Sequence, residues 1–582
     1  MEHENRLGSK RQSFLHGAVI IMFGTFMAKF IGIFFRLLLG NIIGAEGNGY
    51  YSTAYSIYQP LYAMSISGLP VALAKIVAES TEKKEYTYTK RTFKVAHWLF
   101  MLVGVVLMLV MLIFNKELSA YMHNPGARFA IAALAPVAFF CCLSGAYKGY
   151  YEGLRNMYPT AVSEIVEALS KLLFGAVFMY FGIKLGANEY LKNKMVFGLP
   201  VASINEAKCM LGAAGAVCGI AISSVIGTLF LAMCYHTKGP KNKLKREEIN
   251  TKVDREILNK LLAIAVPICL SSIVFNISGN IDARTAKIGL EHAVNQNPNF
   301  FAQMLNSTGR KIEDIPNFLW GGYGLTLPIY NFLPAMMVSF GVSLLPNLAA
   351  AYSTGNQTEV KKHIESSLRI TNTLVFIVGG VVFSNAKSIL MLIYSKRAAD
   401  IALFVPCLRI LGLCLIFSSI TSSTNIILQA IGKVRIPFFL MTCGVFIKYN
   451  VNKILVKIPH INIKGAPIGT LCCYTFIALV GCTLVFKFTG IKIDKNSVFL
   501  KPLLGGGSTA IFGLIAEFIG NHLITIQNAW QNMFKSFITL GCTGLFCLWS
   551  LSFFKVLKEE DIEMLPKGDR IILILKKLRM LA

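Results

Sequence analysis

Charge is what this 582-residue chain is short of: 15% of its residues are Asp, Glu, Lys or Arg, where a soluble globular domain carries about 25%. With 54% hydrophobic residues, that shortage excludes a soluble multidomain enzyme. Acidic residues are scarcer still, 30 against 57 Lys and Arg, for a formal charge of +27. The basic residues sit in short segments between apolar runs, so the excess reads as the positive-inside pattern of a membrane protein rather than a nucleic-acid footprint. No GxxxxGK[ST] is present, and GGGS at 505–508 lacks the lysine that would reach a phosphate. HExxH and GxSxG are also missing. The pattern therefore implies a transporter rather than an enzyme, with no cofactor, drawing on an ion gradient, the membrane potential or its cargo's own gradient. Fourteen Cys are scattered without a CxxC. They are expected to be buried free thiols with no metal site, since adjacent pairs such as Cys141-Cys142 cannot build a tetrahedral site alone.

What is abundant is apolar sequence in runs of roughly 20 residues, each long enough to span about 30 Å of hydrocarbon. The windows fall near 14–40, 48–78, 92–114, 128–151, 160–183, 211–235, 258–282, 323–351, 367–389, 400–430, 437–456, 465–488, 498–520 and 531–554. The fold class is therefore all-α, a polytopic membrane protein of fourteen transmembrane helices. An even count puts both termini on one side. The polar, basic start MEHENRLGSKRQS has no small-residue cleavage site, so residues 1–13 are expected to stay cytoplasmic. That orientation also places Lys83-Lys84, Lys90-Arg91, the run from Lys238 to Arg255, Lys361-Lys362 and Lys433 with Arg435 inside. The polar stretch 288–322 becomes an outer loop folding over the exit side. Residues 557–582 become a basic amphipathic helix on the inner leaflet.

An internal repeat organises these spans. IYQPLYAM at 57–64 matches IYNFLPAM at 329–336, and the offset of 272 also brings Ser67 onto Ser339 and Lys90 onto Lys362. Pro159 and Pro437 each follow a short basic loop. Two parallel copies of six spans follow, a first lobe over 14–240 and a second over 258–490, joined by a basic linker at 241–257. Such copies are related by an axis along the membrane normal and rock about a central cavity. The two C-terminal helices of 491–556 stand outside the repeat.

Ionisable groups inside spans are costly and normally face a partner or a wet cavity. Lys29 lies near the middle of the first span, and Arg36 follows seven residues later on nearly the same face. They form a cationic stripe, although Arg36 also fits a snorkelling position at the outer interface. Glu164, Glu167 and Lys171 share a face of the fifth span, with Glu167 and Lys171 spaced as an i,i+4 pair. That pair is either a helix–helix tie or part of an ion-coupling site, and Glu164 is left to take up a proton or cation. Lys148 and Glu152 form a similar pair at the inner end of the fourth span, and Lys448, Asn450, Asn452 and Lys453 make the eleventh span polar where it matches the fifth. Asp282 is placed to pair with Arg284 or Lys287. Tyrosines at 50, 51, 55, 58 and 62 either stack on sugar rings or form an interfacial belt. A cationic cavity suits a pyrophosphate.

The stretches KFIGIFFRLLLGNIIGAEGNGYYSTAYSIYQPLYAMSISGLPVALAKIVAES (29–80), GYYEGLRNMYPTAVSEIVEAL (149–169) and LPAMMVSFGVSLLPNLA (333–349) resemble the MurJ/SpoVB branch of the multidrug/oligosaccharidyl-lipid/polysaccharide (MOP) exporter superfamily. The resemblance implies a MATE-like fold of two six-helix lobes plus two C-terminal helices that form a lipid-tail groove. It further implies a monomeric flippase of the bacterial cytoplasmic membrane, moving undecaprenyl-linked lipid II among membrane lipids, with no nucleic-acid partner. Lys29, Arg36, Tyr55, Tyr58, Arg284 and Asn331 are then the candidate cavity residues. Where Gram-negative members carry arginines, this chain has Tyr62-Ala63 and Tyr330-Asn331, so their head-group contacts do not transfer. Exporters of teichoic acid or capsule units, and cation-coupled drug antiporters, are the alternatives.

Overall fold

In hydrocarbon every backbone N–H and C=O must find a partner within the protein, so long apolar segments fold as helices. The computed structural model describes residues 14–63, 65, 68–238, 251–305, 312–433, 435–523 and 529–556. The cytoplasmic segment 1–13, residues 241–250 of the linker and the amphipathic tail 557–582 lie outside them. The described residues form eighteen α-helices and one two-stranded sheet. Among the described residues ten helices are long and apolar enough to cross a membrane.

By their internal contacts the residues divide into two units, one running to Lys287 with Asn317–Gly321 added, the other holding Ile288–Pro316 and everything from Gly322. The first contains α1 (Phe14–Ala63), α2 (Leu69–Glu82), α3 (Tyr86–Ile113), α4 (Asn115–Tyr121), α5 (Arg128–Gly153), α6 (Tyr158–Asn193), α7 (Ile204–Lys238) and most of α8 (Thr251–Gln296). The second contains the end of α8, α9 (Pro298–Leu305), α10 (Ile315–Ser353) apart from its opening, α11 (Gln357–Ser384) and α12 (Ala386–Ile393). It continues with α13 (Ala398–Ala402), α14 (Val405–Ala430), α15 (Arg435–Leu455), α16 (Gly465–Thr489), α17 (Lys501–Leu523) and α18 (Ala529–Phe554).

Helix α1 is two spans, not one. At Gly44 the backbone takes φ 66°, ψ −167°, a region open in practice only to glycine. Beyond it the chain reverses. The Arg36 guanidinium lies 4.4 Å from the centre of the Tyr51 ring, whereas a straight helix would separate those residues by about 22 Å. The limbs on either side of Gly44 correspond to the first two expected spans.

A buried polar lock holds this reversal. Asn48 Nδ2 donates to Gly321 O at 2.7 Å, and Asn317 Nδ2 donates to Glu46 O at 3.0 Å. Asn317 Oδ1 accepts from Asn124 Nδ2 and Lys287 Nζ, both at 3.1 Å. The expected outer loop 288–322 is corrected accordingly: apart from 306–311, which are not described, most of it is helix, and Phe318, Leu319 and Trp320 are buried. An apolar motif, FLWGGYGL, follows Asn317 and draws it into the core.

The repeat places the seventh expected span in the second lobe, yet its residues up to Lys287 pack in the first unit. The reason lies in its partners. Arg91 Nε pairs with Asp254 Oδ1 at 2.5 Å, Lys260 Nζ with Glu79 Oε2 at 2.9 Å, and Ile257, Leu261 and Ala265 share a core with α2, α3 and α5. The second half of the expected linker, from Thr251, is already helix.

The two units repeat the same order of elements. A long helix, a short helix and a 3-10 turn occur as α3, α4 and Pro125–Ala127, and again as α11, α12 and Ser395–Arg397. The long helices α5, α6 and α7 then correspond in order to α14, α15 and α16. Even the helix stops agree. Lys84 (φ 61°) and Gly355 (φ 71°) end equivalent helices in left-handed turns, as do Arg155 (φ 56°) and Gly432 (φ 80°). At the first pair Glu85 N donates to Ser80 O and Asn356 N to Ala351 O, the six-to-one bond of a Schellman stop.

One copy thus closes these turns with glycine and the other with a lysine and an arginine, each of which carries a left-handed penalty of about 1 kcal/mol. Lys84→Gly is expected to raise the thermal unfolding midpoint of the purified protein and Gly355→Ala to lower it. Equal midpoints for both variants would remove the left-handed strain from the account.

Candidate functional site

The first unit gathers most of the candidate residues where the α1 limbs meet α5 and α6. Thr25 Oγ1, on the limb before Gly44, donates to Glu164 Oε2 on α6 at 2.8 Å. One turn further, Lys29 is exposed, with its ammonium in electrostatic reach of the same carboxylate. Arg36 is held by partners within the unit. Its guanidinium lies over Tyr51 and, at 5.3 Å, over Tyr55, while Nη1 donates to Asn48 Oδ1 at 3.5 Å. Each cation–π contact of this kind contributes about 0.5–2 kcal/mol, more as water is excluded.

The tyrosines form a ladder rather than a belt. Tyr51 and Tyr55 stack with centroids 5.9 Å apart, and Tyr58 bridges from Tyr55 to Tyr62 at 5.9 and 5.2 Å. The 51-55-58-62 spacing places the rings along one helical face. Tyr50, Tyr51 and Tyr58 are buried, which excludes an interfacial role for them. Tyr58 is also corrected as a stacking platform, because its hydroxyl lies 3.3 Å from Cys141 Sγ and its ring is enclosed. Tyr55 is half-buried and keeps part of its surface free.

The expected Glu167–Lys171 pair is not formed. Glu167 Oε1 instead meets Lys148 Nζ of α5 at 3.7 Å, and Lys171 Nζ sits 4.8 Å from the centre of the Phe35 ring. Spacing along one helix allowed the pair, but each side chain found a nearer partner on a neighbouring helix. Lys148 is likewise drawn from its expected Glu152 partner toward α6. Lys171 and Arg36 stand in electrostatic reach of one another. Among the described contacts neither meets a carboxylate.

Arg284 lies elsewhere in the unit. Its guanidinium rests over Tyr121 at 4.0 Å, one turn before Lys287, which donates to Asn317. It therefore belongs to the layer around the polar lock and not to the Arg36 ladder. Asn331 is exposed on α10 of the second unit. On α15, Lys448 and Asn452 are buried while Lys453 lies exposed, 5.9 Å from the Tyr449 ring centre. All fourteen cysteines are free, but Cys443, Cys472 and Cys542 are exposed rather than buried.

Sequence reasoning missed Thr25, Cys141 and the Asn48–Asn124–Asn317 group. Buried Asn and Thr carry no charge to flag them within an apolar window.

A helical unit with paired charges and stacked tyrosines in its apolar interior, together with ten membrane-length helices among the described residues, defines a multi-pass helical membrane protein. Its fold is that of an inward-facing multidrug resistance MATE family transporter of the MOP superfamily, which superposes with a TM-score of 0.62 at 15% identity, covering 80% of this chain and 94% of its own. Residues 14–288 match the polysaccharide biosynthesis protein family and 320–454 the MatE family. Stage V sporulation protein B of Bacillus subtilis is 20% identical over 97% of this chain and 99% of its own, and the lipid II flippase MurJ of the same organism is 21% identical over 93% and 95%. Over nearly its whole length the chain is thus similar to members of the MurJ/SpoVB branch of the superfamily.

Removing one member of a largely enclosed ion pair strands the other. Lys148→Met is therefore expected to lower the thermal midpoint more than the double variant Lys148→Met with Glu167→Gln. Additive losses in that double-mutant cycle would show that the two groups do not interact.

Proposed function

We propose that the protein is a flippase, carrying a polyprenyl-pyrophosphate-linked sugar precursor, lipid II first among them, from the inner to the outer leaflet of a bacterial cytoplasmic membrane by alternating access. Arg36 and Lys171 carry this reading: two cations side by side in an apolar unit, held on the rings of Tyr51, Tyr55 and Phe35, with no carboxylate among their described contacts. An incoming pyrophosphate supplies the missing anion through charge-assisted hydrogen bonds. Lys29, exposed two turns before Arg36 on the same limb, offers the first contact, and the free surface of Tyr55 offers a plane for a sugar ring. Asn331 is the second unit's candidate contact.

Glu164 takes up the coupling proton or cation in this scheme, with Thr25 as its hydrogen-bonding partner and Lys29 as the charge that releases it. The near-full-length likeness to the lipid II flippase supports the choice of cargo. A basic excess on the side of the N-terminus supports cytoplasmic termini. An exporter of another lipid-linked glycan, such as a teichoic acid or capsule unit, is the second reading, favoured by the match of residues 14–288 to the polysaccharide biosynthesis family. A drug antiporter fits less well, because a cationic guest would meet the Arg36–Lys171 pair.

In a flippase-depleted strain, Lys29→Ala and Arg36→Gln are expected to abolish complementation at normal protein levels while lipid II builds up in the inner leaflet. Full complementation by both variants would refute the assignment. Accumulation of a different lipid-linked glycan on depletion of this protein would transfer the site to that cargo.

A further inference from the structure

A second charged cluster lies in the other unit, at one end of its bundle, and nothing in the flippase reading uses it. Lys387 opens α12, Arg409 lies in the second turn of α14, Glu517 near the end of α17 and Lys535 in the second turn of α18. Antiparallel succession of these helices brings all four to the same end. Arg409 Nη2 stands 3.7 Å from Glu517 Oε2. Lys387 and Lys535 are in electrostatic reach of Glu517 and of one another. Lys535 Nζ donates to Asn521 Oδ1, one turn along α17 from Glu517.

Two features of the cluster are incomplete. Three cations surround one carboxylate, although Lys535 is only 3% exposed and Glu517 only 4%, and buried charge of one sign is costly unless countered. Among the described residues, both Glu517 oxygens and Arg409 Nε also lack any hydrogen-bond partner, a deficit that burial makes costly. A ligand completing both would bring an anion for the cations and O–H donors for the carboxylate. Arg409 has a side chain 42% exposed, so the cluster opens to the surface through its guanidinium.

We infer that this cluster binds the headgroup of an anionic lipid, a phosphodiester bearing hydroxyl groups. The phosphate sits among Lys387, Arg409 and Lys535, and a hydroxyl donates to Glu517. Phosphatidylglycerol has that chemistry. Phosphatidylcholine has neither net charge nor hydroxyl, and phosphatidylethanolamine offers N–H donors but leaves the excess positive charge uncompensated. A polyprenyl phosphate shares the anion and is the other source at a membrane surface.

The test is native mass spectrometry of the full-length protein released from mixed micelles. Phosphatidylglycerol is expected to be retained over phosphatidylethanolamine and phosphatidylcholine, and Arg409→Ala and Lys387→Ala are each expected to weaken retention by about tenfold, the scale of one lost charge-assisted contact. Both side chains reach the surface or lie partly exposed, so these variants spare the packed interior. Glu517→Gln is expected to erase the preference for phosphatidylglycerol over phosphatidylmethanol, which lacks the hydroxyls. Displacement by undecaprenyl phosphate would support the phosphate site with a carrier lipid as its occupant, and resistance to it would support a phospholipid. Equal retention of all three phospholipids, or unchanged retention by the folded Arg409 and Lys387 variants, overturns the proposal. Complementation of the flippase-depleted strain is a separate readout, so loss of this site and loss of the transport reading are distinguishable.

Discussion

The first unit depends on one backbone reversal. Gly44 turns α1 through a conformation that a side chain would strain, and without it Arg36 could not reach Tyr51 or Tyr55. The turn alone would leave polar backbone exposed to an apolar interior: Asn317 Nδ2 donates to Glu46 O beside the turn, Asn48 Nδ2 donates to Gly321 O, and Asn124 Nδ2 holds the Asn317 side chain in place. Asn317 is central because its one side chain receives two donors and gives a third bond to Glu46 O.

Within that frame the charges sort by how they are neutralised. Lys148 and Glu167 face one another across α5 and α6, and Glu164 is shared between a hydroxyl and an ammonium. Arg36 and Lys171 are held instead by aromatic faces. A quadrupole stabilises a cation without cancelling its charge, so these two side chains remain available to an anion while staying ordered. The second unit uses a different economy, anchoring its helix junctions by buried hydrogen bonds such as those of Arg369 to Ser497 and Asn372 to Val498 O.

Much of the architecture was legible in the residues. Apolar windows marked the helices, the limbs of α1 included, and matching short motifs revealed the repeat that the element order of the two units displays. The Schellman stops at Lys84 and Gly355 show one way the copies diverge: the geometry persists while the residue meeting it changes. Less legible was pairing. Glu167 and Lys171 had the right spacing and the wrong partners, because a long side chain on a packed helix reaches a neighbouring helix as readily as its own next turn. The 288–322 stretch misled through its polar composition, which Phe318, Leu319 and Trp320 override by burying the segment.

Composition and periodicity by themselves determined that this chain is helical, membrane-spanning and duplicated, since the cost of an unsatisfied backbone in hydrocarbon leaves a 20-residue apolar run no other form. They also determined which side chains would be expensive to bury. Only the tertiary structure decided what each of those side chains meets, and that Arg36 rests on tyrosine while Lys148 takes Glu167. Contacts between helices depend on distances of a few ångströms across segments far apart in the chain, and no local pattern of residues encodes them.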